Sequence, residues 1–184
     1  MITEWSRFRG WTILEHFLLY PDKRVHINAL ARVLKIGPST AQAFCSSYHK
    51  DGLLGKEVAG NTHLYFLDKD DARVRALRAF IGPYLISDFL PPFLAKNKGV
   101  LSISIYGSFS SGDYGDGSDI DILIITASEE RPDTAPLRGI SLRLGRDANI
   151  TPISLAKWRR MERDKEPFFQ SIKKNSISIW GNPI

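Results

Sequence analysis

The chain has 184 residues, 43% hydrophobic and 24% charged, with a net charge of +5, an ordinary composition for a globular protein with room for one large domain or two small ones. Its single cysteine, Cys45, excludes an intramolecular disulfide and a cysteine-based zinc site, and the four histidines show no metal-ligand spacing. No apolar run approaches the ~18 residues of a membrane span, and the N-terminus lacks the apolar core of a signal peptide, so a cytoplasmic protein without membrane contact is expected. Residues 1–80 carry +4 and residues 81–184 carry +1. That difference places the basic excess in the N-terminal half, either as a polyanion-binding surface or as an ordinary charged one.

Glu4–Tyr20 reads as a helix with Phe8, Trp11, Ile13, Leu14, Phe17 and Leu18 on a broad apolar face, ended by Pro21. His26–Ile36 reads as a second short helix, broken by Gly37. Pro38 and Ser39 open a third, Thr40–Lys50, with Ala41, Phe44, Cys45 and Tyr48 facing inward. Leu53–Ala59 and His63–Leu67 read as strands joined at Gly60 and Asn61, a hairpin signal. This order of elements is similar to the winged helix-turn-helix family. The resemblance implies a third helix that enters the DNA major groove, with Ser39, Gln42, Ala43, Ser46 and His49 exposed and Gln42 reading adenine. Lys56 and His63 would lie on the wing, and Arg32, Lys35 and Lys50 at phosphates. The DNA-binding set that the resemblance implies is Ser39, Gln42, Ser46, Lys50 and Lys56. The third helix has no Arg or Lys before Lys50, and winged helices also dock proteins. Double-stranded DNA and a partner protein both stand as expected partners of residues 1–82.

Asp70–Ile81 reads as a connecting helix carrying Arg73, Arg75 and Arg78, broken by Gly82 and Pro83. A further helix, Pro83–Lys96, is expected to kink at Pro91 and Pro92. Val100–Tyr106 is a strand. Gly107 follows at once, letting the backbone approach a ligand closely, and Ser108 leads into a short helix, Phe109–Gly112, whose start is an anion site. Asp119 and Asp121 open the next strand, which runs on through Ile125, and alternation points both the same way. Two adjacent carboxylates repel unless a cation sits between them. Such oxygens suit Mg²⁺ with substrate phosphates, and two ions about 3.5–4 Å apart would clamp a phosphoryl displacement. A P-loop is excluded because Asp113 stands where its Lys belongs. An EF-hand is excluded by Gly115 and Gly117 at ligand positions and Ile124 in place of the bidentate Glu. Beyond a polar loop, Thr126–Asp133, Thr134–Leu144 reads as a helix, with a strand over Ile140–Leu144 as the alternative. Asp147–Ile153 is a strand, Leu155–Arg163 and Glu166–Lys174 are helices, and Ser176–Trp180 is a last short strand.

Gly107 and Ser108, ten intervening residues, then Asp119, Ile120, Asp121 and Ile122 resemble the signature of the DNA polymerase β-like nucleotidyltransferases, most closely their minimal members. The resemblance implies that Gly107 and Ser108 bind the triphosphate and that Asp119 and Asp121 hold Mg²⁺ or Mn²⁺. A third carboxylate would come from the Asp147–Ile153 strand. By the family's pattern Asn149 stands where an Asp is expected. Asp147, two residues earlier and about 6.6 Å along the strand, is on the same face and either completes the catalytic site or is a strand-end residue beside Arg146. Asn149 can ligate a metal through its carbonyl oxygen but cannot take a proton.

The expectation is thus an α+β (mixed α/β) protein: a winged helix-turn-helix domain, residues 1–82, and a nucleotidyltransferase domain, residues 83–184, with helices flanking a mixed sheet. It would transfer a nucleoside monophosphate from an NTP, ATP being the first choice, to an acceptor. The alternative is a DNA-binding regulator or antitoxin-like protein whose nucleotide-binding domain is weak or inactive. A second copy of the chain, as a homodimer, is the remaining expected partner.

Overall fold

The computed structural model describes residues 7–60 and 62–182. Glu4, Trp5 and Ser6 of the expected first helix, and Asn61 of the expected hairpin turn, lie outside the described residues. The fold is mixed α+β with two separate sheets. The chain divides into two units, Met1–Ile81 and Gly82–Ile184.

The first unit runs α1 (Arg9–Leu19), β1 (Val25–His26), α2 (Ile27–Leu34), α3 (Pro38–Lys50), β2 (Leu54–Ala59), β3 (Thr62–Leu67). Its strands form an antiparallel sheet in the order β1-β3-β2. Ile13, Phe17 and Leu18 of α1, Leu30 of α2, Ala41 and Cys45 of α3, and Leu54 and Tyr65 of the hairpin are fully buried. Each large apolar side chain among them contributes roughly 1.5–3 kcal/mol. Burial pushes the Cys45 thiol up to about 12, so the one cysteine is a small core residue and not a nucleophile. His26 does not open a helix turn, as expected, but pairs with Leu64 in β1 and caps α2. Its Nδ1 accepts the Asn28 N–H at 3.1 Å. A two-residue strand is too short for alternation to announce it.

Helix α4 (Ala72–Ile86) starts at an Asp71 cap whose Oδ1 accepts the N–H groups of Arg73 and Val74 at 2.7 and 3.4 Å. The Arg73 guanidinium, hydrogen-bonded to it, holds the Asp71 carboxyl down to about 2. The expected break at Gly82 and Pro83 does not occur: α4 continues through both. Proline forfeits one N–H but keeps a helical φ, and the buried residues Ile81, Tyr84, Leu85 and Ile86 keep the helix going. The break falls later, in a tight turn at Ser87–Phe89. Pro91 and Pro92 do not kink a helix; they stand in the first turn of α5 (Leu90–Lys96), where a missing N–H removes no intrahelical bond.

The second unit continues with β4 (Val100–Tyr106), α6 (Ser108–Ser111), β5 (Ile120–Thr126), α7 (Gly139–Leu144), β6 (Ala148–Ser154), α8 (Leu155–Arg163), α9 (Pro167–Lys174) and β7 (Ser176–Gly181). The strand alternative for Ile140–Leu144 is overturned: the segment is α7, entered by a tight turn at Ala135–Leu137 and stopped by Gly145 at φ 66°. Thr134 gives no cap; Asp133 does, its Oδ1 accepting the Ala135 N–H at 2.9 Å.

The four strands lie in the order β6-β5-β4-β7, with β5 and β6 parallel and the other pairs antiparallel. Leu123 and Ile125 of β5 join Ile153, Trp158, Met161, Phe169 and Ile172 in one apolar cluster, so α8 and α9 cover that face. Ile120, Ile122 and Ile124 point the other way and are also buried. There Gly82 of α4 lies so close to Ile105 and Phe109 that a Cβ would sit 3.3 Å from each. Being buried on both faces, β5 reads as a near-continuous apolar run. Only its first turn of residues escapes the helices, and the acidic pair stands there. Among the described residues no helix is long and apolar enough to cross a membrane.

Candidate active site

The site begins where β4 ends. Gly107 has φ 72° and ψ −153°, a region essentially restricted to glycine. A Cβ there would lie 2.8 Å from Asp121 Oδ2, so the carboxylate rests against bare backbone. Ser110 braces the bend from below: its buried hydroxyl is 2.8 Å from the Gly107 carbonyl and 2.9 Å from that of Asn175. Ser108, half-buried, is the first residue of α6, and its carbonyl accepts the Asp113 N–H at 2.9 Å.

Strand register then lines up three side chains. Tyr106 of β4 pairs with Asp121 of β5, which pairs with Asn149 of β6. Partners in a row share a face, here the one that α8 and α9 cover further along. Asp119, two residues before Asp121, falls on it too. The Asn149 side-chain amide bridges the acids: Nδ2 donates to Asp121 Oδ1 at 3.1 Å and to Asp119 Oδ2 at 3.3 Å. Asp119 and Asn149 are exposed and Asp121 is half-buried, so the pair opens to solvent on one side.

Asp147 stands one residue before β6, where its backbone carbonyl accepts the Ile120 N–H at 2.9 Å. Among the described residues no three His, Cys, Asp or Glu side chains gather in the manner of a metal site. The β6 residue level with Asp121 is Asn149, whose amide contacts both aspartates.

Arg146, which the sequence reading passed over, fixes the loop before Asp119. Only 8% exposed, it donates from Nη1 to the carbonyls of Gly115 and Ser118, each at 3.0 Å. Its guanidinium lies over the rings of Phe109 and Tyr114, 5.1 and 5.5 Å from their centroids. Those rings stack 3.9 Å apart. The Ser118 hydroxyl accepts the Gly115 N–H at 2.9 Å, closing the turn. The only sequence sign of this clamp was an arginine set between the helix-stopping Gly145 and a strand.

In the first unit, Ser39 and Lys50 are exposed at the two ends of α3, and Lys56 is exposed on β2. Gln42 and Ser46 are differently placed: Gln42 Nε2 donates to Ser46 Oγ at 2.8 Å and to the Tyr65 hydroxyl at 2.9 Å. Both hydrogens of that amide are used inside the unit. The His49 ring is likewise engaged, with Nδ1 2.9 Å from the Leu54 carbonyl.

Residues 87–175, which hold the Gly107 bend, both aspartates and Asn149, match the family model described as a nucleotidyltransferase domain. A solved structure described as a crystal structure of the toxin-antitoxin with AMP-PNP superposes with a TM-score of 0.39 at 18% identity, over 52% of this chain and 73% of that one. None of the curated proteins compared matches the chain.

Proposed function

We propose that the second unit is a metal-dependent nucleotidyltransferase that moves a nucleoside monophosphate from an NTP to an acceptor hydroxyl. The observation that carries this reading is the juxtaposition of the Asp119–Asp121 pair with the Gly107 bend: Asp121 Oδ2 lies 2.8 Å from where a Cβ of residue 107 would stand. The donor set fits Mg²⁺ or Mn²⁺, being two hard carboxylate groups on one face, Asp119 exposed to solvent and Asp121 half-buried. Asp119 and Asp121 would hold the ion, which when bound neutralises phosphate charge as the transfer proceeds.

Gly107 and Ser108 seat the triphosphate tail, because a bend without a side chain lets phosphate oxygens reach the backbone. The acceptor oxygen bonds to the α-phosphorus, the bond from that phosphorus to the bridging oxygen breaks, and pyrophosphate leaves with the electron pair. The acceptor's proton is released to water, since the amide of Asn149 cannot accept it. Catalysis rests on positioning, with Asn149 orienting the acids and Arg146 fixing the loop that carries them. ATP is the first nucleotide to test.

Residues 1–81 take the role of a winged-helix module, and we favour docking of the acceptor or a partner protein over reading of DNA. Gln42, the side chain suited to adenine, spends its donors on Ser46 and Tyr65.

The test is thermal stability of the full chain with each NTP, with and without Mg²⁺ or Mn²⁺, for the wild type and Asp121→Asn. A ligand at a hundred times its Kd stabilises by about 2.7 kcal/mol, a rise of several degrees. The expected result is a metal-dependent rise that Asp121→Asn abolishes; superimposable melts under every condition contradict the reading.

A further inference from the structure

Resting on the nucleotidyl-transfer reading, we propose that this site holds one divalent ion and not two, because Asn149 occupies the position from which a second ion would be held. The register sets Asn149 level with Asp121, and its amide nitrogen lies 3.1 and 3.3 Å from one oxygen of each aspartate. A pair of ions about 3.5–4 Å apart needs bridging carboxylates between them and further anionic ligands on the outer side of each. On the β6 side of this pair the outer ligand is a neutral amide. Rotated about its last bond, it offers a single carbonyl oxygen; unrotated, it presents N–H groups that repel a cation. Among the described residues no group of three His, Cys, Asp or Glu side chains is gathered to hold a metal ion.

The same donors suffice for one ion. Mg²⁺ is commonly held by one or two carboxylates, with waters and substrate phosphates filling its remaining positions. Asp119 and Asp121 provide the first, and the Gly107 bend, against which Asp121 rests, would seat the phosphates. Asn149 also prepares the seat. Two like charges on one strand face repel, and two N–H···O bonds to ionised acceptors, stronger than neutral ones, offset that repulsion before the ion arrives. The site is thus a preformed single-ion cradle with an amide strut.

The test counts Mn²⁺ by electron paramagnetic resonance on the full chain, equilibrated with a saturating non-hydrolysable ATP analogue and separated from unbound ion. The wild type is expected to retain one Mn²⁺ per chain, with no dipolar broadening. Asn149→Asp, which swaps an exposed side chain for one of equal size, is expected to retain two, with the broadening of a coupled pair. Two ions in the wild type overturn the single-ion inference while leaving the nucleotidyl-transfer reading standing. No ion in the wild type overturns both. One uncoupled ion in Asn149→Asp overturns the part assigned to Asn149. The wild-type count decides the matter even if the variant folds poorly.

Discussion

Gly107 is where backbone conformation and chemistry meet most closely. Its φ of 72° and ψ of −153° would impose roughly 1–3 kcal/mol of strain on any other residue, and a Cβ there would crowd Asp121 Oδ2 at 2.8 Å. Gly107→Ala must therefore push the carboxylate away from the bend even if the sheet survives. The expected outcome is loss of the metal-dependent nucleotide effect on melting, with the circular dichroism of the folded chain retained; nucleotide stabilisation equal to wild type would refute the role given to the bend. At this scale the sequence was informative about the acids, because alternation along a strand fixes that Asp119 and Asp121 share a face. It left Asp147 and Asn149 undecided. Which of two residues on one face stands beside Asp121 depends on the stagger between strands β5 and β6, which only pairing sets.

Among the elements, α3 separates the two roles open to the first unit. A helix that reads DNA needs donors and acceptors free at its surface and cations near phosphates. In α3 the Gln42 amide is committed to Ser46 and Tyr65, and the basic side chains are confined to His49 and Lys50 in its last turn. The full chain is expected to give no sequence-selective retardation of duplex DNA at 150 mM salt. Selective retardation whose affinity falls steeply with salt would restore the DNA-reading role.

Other elements show where local sequence misleads. Pro83 signalled a stop that the buried residues after it overrode, whereas Pro91 and Pro92 signalled a kink and instead mark a helix start. The Arg146 clamp was invisible because its partners are backbone carbonyls of Gly115 and Ser118 some thirty positions earlier, and carbonyls leave no mark in a sequence.

Taken whole, the chain divides into two units, Met1–Ile81 and Gly82–Ile184. The strong signals were those of period and punctuation: the apolar run of β5, the apolar face of α1, and the glycine that opens α6. What could not be read was long-range, namely the strand order β6-β5-β4-β7 and the row Tyr106, Asp121, Asn149 that it creates.

The central claim, that Asp119 and Asp121 grip a divalent ion against a triphosphate on the Gly107 bend, is open to one direct measurement. Crystals of the full chain grown with MnCl₂ and a non-hydrolysable ATP analogue would be examined by anomalous diffraction at the manganese edge. The account predicts a single strong peak about 2.1 Å from a carboxylate oxygen of each aspartate and from a phosphate oxygen, with the tail lying over Gly107 and Ser108. A peak elsewhere on the chain, or bound nucleotide with its phosphates turned away from the two aspartates, would contradict it.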